Sequence, residues 1–165
     1  MENQIPMKRM AACATYFDDD GNLLIVKPHY RADWLLPGGI VETNESPYDG
    51  CCREVHEELG QPFPVRRLLC CEYQSANGDR SESLQFIFYG GVLSPREMGS
   101  IHLQASELTE YRLSQSKEWK MLLNPFLSER LEVALGNAEQ QSFVYLENKK
   151  PISSYDTSRH TIHWV

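Results

Sequence analysis

Glu54, Glu57 and Glu58 stand three and four residues apart, with Arg53 the neighbouring cation, inside the segment R-E-V-H-E-E-L-G. On a helix each such like-charge pair costs roughly 0.2–0.5 kcal/mol. A chain that tolerates the crowding is often holding something positive. Carboxylates are hard oxygen donors, and with no Cys or His in the cluster they suit Mg²⁺ or Mn²⁺ rather than zinc. The chemistry such an ion supplies is charge neutralisation at a phosphoryl group and activation of a water. Gly38 and Gly39 precede the cluster and Gly60 follows it. A residue without a side chain lets backbone approach a ligand closely, so the Gly38 carbonyl is a further candidate ligand.

The elements around the cluster must bring these carboxylates together. Ser46, Pro47 and Asp49 are helix-start signals, a hydroxyl cap followed by proline and an acidic first turn. Gly60 is the matching stop. On a wheel of about 100° per residue, Tyr48, Cys51, Cys52, Val55 and Leu59 form one apolar stripe. Glu54 and Glu58 then lie about 40° apart on its flank, with Glu57 roughly 60–80° beyond. Upstream, residues 8–17 and 23–27 read as strands joined by an Asp-Gly turn, and 34–36 and 40–42 as short extended pieces. Trp34 and Tyr30 read as core residues. Downstream, 65–74 and 84–89 form a hairpin across Asn77-Gly78, with Gly90-Gly91 marking a bulge. Residues 94–104 read as a loop and 107–113 as a strand. A helix capped by Ser114 runs through Met121, a second runs from Asn124-Pro125 to a stop at Gly136, and 143–146 is a last strand.

With 165 residues, 41% hydrophobic and 24% charged, the chain fits one α/β domain with its own core. The expected division is an arm at 1–6, a domain at 7–150 and a tail at 151–165. A net charge of -7 and a pI near 5.2 speak against a nucleic-acid partner, which needs a basic face. An acidic chain that handles phosphates needs a cation or a local basic pocket. Cys13, Cys51, Cys52, Cys70 and Cys71 include two adjacent pairs and no C-x-x-C, which predicts reduced thiols in a cytoplasmic protein. No stretch is long and apolar enough for a membrane span, and no targeting segment is expected.

Gly39, Glu45, Arg53, Glu54, Val55, Glu57, Glu58 and Gly60 together match G-x5-E-x7-R-E-U-x-E-E-x-G, where U is bulky and apolar. This resembles the Nudix box. Finding its seven fixed letters in one chain by chance is on the order of one in a million. The pattern's last apolar position is Gln61 here. The preceding Leu36-Pro37-Gly38-Gly39 and the later stretch from Leu113 to Trp119 are also similar to the family, with Leu113 replacing its usual tryptophan. The resemblance implies a Nudix-like α/β/α sandwich with a mixed central sheet. It also implies Mg²⁺-dependent hydrolysis of the pyrophosphate linkage in a nucleoside diphosphate joined to another moiety, by water attack on phosphorus. Mn²⁺ is the expected substitute.

The same resemblance implies Gly38, Glu54, Glu57 and Glu58 as metal ligands, and Arg53 and Glu57 as catalytic. Gly39, Glu45 and Gly60 support the site, with Arg53 orienting Glu45 and the ligand carboxylates. A general base can come from the helix or from a later loop, where Glu107 is the first candidate and Glu97 and Glu110 are weaker ones. The expected partner is a small-molecule nucleotide: ADP-ribose, a nucleotide sugar or a nucleoside triphosphate. A homodimer is a further family expectation. The alternative from another class is a catalytically silent nucleotide-sensing module, which the intact carboxylates disfavour.

Overall fold

A computed structural model describes residues 7–138 and 142–152. The chain begins with β1 (Arg9–Phe17) and β2 (Leu23–Pro28), an antiparallel pair whose turn is tied by Asp18. The Asp18 carboxylate accepts from the backbone N–H groups of Asp20 and Asn22 and from the Asn22 side chain. In β2 the four residues Leu23 to Val26 are all fully buried, yet they serve two cores. Leu24 and Val26 point into one cluster with Val55 and Leu59, and Leu23 and Ile25 into another with Trp119 and Leu131. A strand apolar on both faces belongs between two helical layers.

After β3 (Gly38–Ile40) and α1 (Pro47–Leu59) come β4 (Leu68–Gln74), β5 (Ser83–Val92) and a one-turn α2 (Pro95–Met98). β6 (Leu108–Ser114), α3 (Ser116–Leu122), α4 (Pro125–Ala138), β7 (Val144–Glu147) and β8 (Lys150–Pro151) complete the chain. The sheet runs β6-β2-β1-β5-β4-β7-β8, with β3 beside β1. β1–β5 and β4–β7 are parallel and the other pairings antiparallel, so the sheet is mixed as expected. α1 packs on β1 and β3, while α3 packs on β2 and α4 on β4 and β7. The bulge falls at Gly90 of β5, the extra residue between the pairs Thr15↔Tyr89 and Tyr16↔Gly91.

Several sequence expectations are corrected. Residues 34–36 form no strand; Leu35 and Trp34 make isolated bridges to Val26 and Leu123. Trp34 is core, but Tyr30 is 75% exposed, on the turn that follows Pro28. Of the apolar stripe on α1, Tyr48 lies at the surface, its hydroxyl donating to the Val65 carbonyl. The stretch 94–104 is not all loop, because Ser94 and Glu97 form a capping box around α2. Ser114 ends β6 rather than capping α3, whose cap is Gln115. α4 passes Gly136 and ends at Ala138. The arm at 1–6 and residues 153–165 of the tail lie outside the described residues.

Gly60 closes α1 in the left-handed region, φ 70°, and a Cβ there would meet the His102 carbonyl oxygen at 2.7 Å. The approach is close because 102–104 crosses the end of α1. His102 and Gln104 donate their N–H groups to the Leu59 and Glu58 carbonyls at 2.9 and 3.1 Å, satisfying two orphan acceptors. Gly136 has open space around it. Gly60→Ala should therefore lower stability by about 1 kcal/mol or more, and Gly136→Ala, inside a helix, should raise it by up to about 1 kcal/mol. Thermal denaturation of the two variants beside the wild type checks both signs.

Candidate active site

α1 starts where the sequence expects. The Ser46 side chain accepts from the Asp49 N–H at 3.1 Å, Pro47 opens the helix, and Asp49 sits in the first turn. From there Arg53 and the glutamates are carried to β3. The Arg53 guanidinium spends all five N–H donors. Nε and Nη2 grip Glu45 at 2.9 and 3.1 Å, Nη1 reaches Glu54 at 2.9 Å and Glu57 at 3.0 Å, and Nη2 also reaches the Ile40 carbonyl at 3.0 Å. The grip on Glu45 is the two-pronged form only arginine offers. It holds the Glu45 carboxyl below the usual range, helped by the Glu42 N–H.

Two glycines make room for carboxylates. A Cβ on Gly39 would lie 2.5 Å from Glu54 Cδ, and one on Gly50 would lie 2.8 Å from Glu45 Oε2. Gly38, at φ 137°, donates its N–H to Glu58 Oε2 at 2.8 Å. The three glutamates are graded in depth: Glu58 is buried, Glu54 half-buried and Glu57 exposed. Burial is the main force raising the Glu58 pKa to about 8, despite the Gly38 N–H, with Glu54, Glu107 and Glu57 adding repulsion. Burial also raises Glu54, against the pull of Arg53, with Glu57 and Glu107 repelling.

Glu107 is thus close enough to bear on both carboxylates. It is exposed, on the segment that crosses the end of α1, fixed by its own N–H to the Gln104 carbonyl and by His29 N–H to its carbonyl, each 2.9 Å. Glu97 spends its carboxylate on the Ser94 cap, and Glu110 lies mid-strand opposite Lys27. Neither is brought to the cluster.

The donor set suits a hard divalent cation: all oxygen, excess negative charge, and one arginine whose donors are already used. Among the described residues no three His, Cys, Asp or Glu side chains form a cage for an ion. Mg²⁺ does not ask for one, since it takes one or two carboxylates and fills the rest with waters and phosphate oxygens. Gly38 and Gly39 also line a cavity of ≈ 340 Å³ on the far side of β3, with Tyr30, Arg31, Gln85 and Leu127. A larger cavity of ≈ 630 Å³ adjoins it beside the β4–β5 hairpin.

The profile of the NUDIX domain matches residues 7–124. The chain belongs to the Nudix family. Among curated proteins it is similar to a MutT-like protein of Streptomyces ambofaciens, 36% identical over 63 residues, 38% of this chain and 41% of that one. It is also similar to diphosphoinositol polyphosphate phosphohydrolase 2 of Rattus norvegicus, 39% identical over 64 residues, 38% of this chain and 36% of that one. The matches thus span about two fifths of those relatives. The crystal structure of a MutT protein from Methanosarcina mazei Go1 shares the Nudix fold, with TM-score 0.65 and 20% identity over 84% of this chain and all of that one.

Within this Nudix box, Gly50 and the Ile40 carbonyl are partners that the sequence did not single out. A glycine inside a helix, about 1 kcal/mol worse than alanine, was the available signal for Gly50.

Glu58 gives a pH dependence with a definite sign. Its folded pKa is raised, so the native state binds the extra proton. That contribution is full below about pH 4.5 and is lost as pH rises toward about 8. The metal-free protein should lose several degrees of Tm between pH 6 and pH 8.5. In Glu58→Gln that part of the slope should flatten, and at pH 8.5 the variant should melt above the wild type. Differential scanning calorimetry in a chelating buffer reads both.

Proposed function

We propose that the chain is a Mg²⁺-dependent pyrophosphohydrolase of the Nudix family, acting on a nucleoside diphosphate linked to another moiety. The observation that carries this reading is the double duty of Gly38 and Gly39. They seat the Glu58 and Glu54 carboxylates on one side and line the ligand-sized cavity on the other. A pyrophosphate in that cavity would lie against the glycine backbone that the carboxylate cluster meets from the other side. Glu54, Glu58, the outer Glu57 and the Gly38 carbonyl are the proposed holders of the cation. Such a cation supplies charge neutralisation at the phosphoryl oxygens and a lowered pKa for water.

The remaining work falls to the chain's own residues. Arg53 fixes Glu45, Glu54 and Glu57 in place, so little reorganisation is needed as charge develops. Glu107, exposed beside the cluster, is the proposed base. It accepts a proton from the attacking water as the new P–O bond forms and the bridging P–O bond breaks, giving two phosphoryl products. The folded unit assigned to this activity is residues 7–150. ADP-ribose, a nucleotide sugar and a nucleoside triphosphate are the substrate classes to be tested.

A panel of these compounds, with Mg²⁺ and a coupled phosphatase, should show phosphate release for at least one. Glu58→Gln should lower its kcat by two or more orders of magnitude, and Glu107→Gln by roughly 10²–10⁴. Glu97→Gln should leave kcat within a few-fold. Tight nucleotide binding with no turnover under Mg²⁺ or Mn²⁺ across the panel would instead make the chain a sensing module.

A further inference from the structure

The two cavities meet at Arg9, Gln74, Arg80 and Phe126, which line both. These residues come from β1, the end of β4, the β4–β5 hairpin and α4, and the sheet register sets them side by side. Arg9 pairs with Ser83 on β5, and Ser83 pairs with Gln74 on β4. Asn77 and Arg80 close the hairpin with reciprocal backbone bonds of 3.0 and 3.1 Å. On the same β1 strand Ala12 pairs with Gly39. Arg9 is three residues further along, about 10 Å at the strand rise of ~3.3 Å per residue.

Charge at this junction runs against that of the chain as a whole, whose net charge is -7. The ion pairs of the described residues engage Arg31 with Asp33, Arg130 with Glu72 and Lys149 with Glu129, but not Arg9 or Arg80. Asp79 is the acidic side chain that lines the outer cavity. Arg130 is buried at the back of the inner one. Its Nε donates to Glu72, whose other oxygen accepts the Lys149 N–H at 2.6 Å. Phe126, 43% exposed, adds an apolar face. Two arginines that make no ion pair among the described residues, a third that lines the inner cavity and is held by Glu72, and an aromatic ring describe a seat for a phosphorylated ring.

We propose that Arg9 and Arg80, backed by Arg130, form a second anion subsite that holds a phosphoryl group about 10 Å from the pyrophosphate seated at Gly38 and Gly39. The inference rests on the pyrophosphohydrolase reading and adds to its substrate an extra phosphoryl group on the moiety beyond the bond that is cut. A sugar-phosphorylated nucleotide meets that description within the nucleoside-linked class, and a polyphosphorylated cyclitol meets the same phosphoryl chemistry outside it.

The test has a binding arm and a turnover arm, each on the full chain. Inositol hexakisphosphate is titrated by calorimetry without metal into wild type and into R9A/R80A, with Tm as the check on folding. The subsite predicts binding that weakens about tenfold or more in the variant. Equal binding by both proteins, or none by the wild type, overturns it. In the turnover arm, ADP-ribose, its 2′-phosphate and a diphosphoinositol pentakisphosphate are compared with Mg²⁺. One phosphorylated compound should be cleaved with the highest kcat/KM, which identifies the source. The variant should narrow that preference through KM. An unchanged ratio, or a wild-type preference for ADP-ribose, contradicts the subsite. If neither these three nor any compound of the nucleotide panel is cleaved but inositol hexakisphosphate still binds through Arg9 and Arg80, the subsite stands and the pyrophosphohydrolase reading falls.

Discussion

The structure turns on one guanidinium among four glutamates. Arg53 has five N–H donors and every one has an acceptor, four on carboxylates and one on the Ile40 carbonyl. An arginine cannot shed its proton and its planar fork fixes direction as well as charge. It therefore does two things at once. It ties helix α1 to the strand that carries Gly38 and Gly39, and it sets Glu45, Glu54 and Glu57 around a common point. It does not neutralise them, because one positive charge stands against the three carboxylates it holds. The remaining charge on the cluster is what makes a divalent cation the natural complement.

The surrounding fold can be read as the set of conditions that keep this arrangement in place. Glycines stand where a side chain would strike a carboxylate, at Gly39 and Gly50, and where the helix must end beneath a crossing loop, at Gly60. The crossing loop satisfies the last carbonyls of α1 and by the same bonds fixes the approach to Glu107. Both faces of the sheet are closed by separate apolar clusters, one under α1 and one under α3 and α4. The strand that carries the glycine pair is short, and it is braced by β1 on one side and by the guanidinium on the other.

What was legible in the sequence was what is local in it. The cap at Ser46, the stop at Gly60 and the spacing of the glutamates lie within one helix, so period and chemistry suffice to place them. The graded burial of Glu58, Glu54 and Glu57 follows the wheel angles for the same reason. The short α2 hides in a stretch that reads as loop although Ser94 and Glu97 carry a capping box, because Pro95 and Gly99 are loop residues as well as helix-end residues. Tyr30 was misplaced because an aromatic residue in a turn has no periodicity to say which way it faces. Arg9 and Arg80 were out of reach altogether. Their proximity depends on the parallel pairing of β1 with β5, and no window of sequence contains that pairing.

The central claim is that Arg53 holds the carboxylates in a form that takes up a divalent cation. Electron paramagnetic resonance of free Mn²⁺, titrated against wild type and Arg53→Lys, measures it without substrate or turnover. The account predicts Mn²⁺ uptake by the wild type and a loss of most of it in the variant, although every carboxylate remains, because a lysine cannot make the forked contacts. Equal uptake by the two proteins, or none by the wild type, would contradict it.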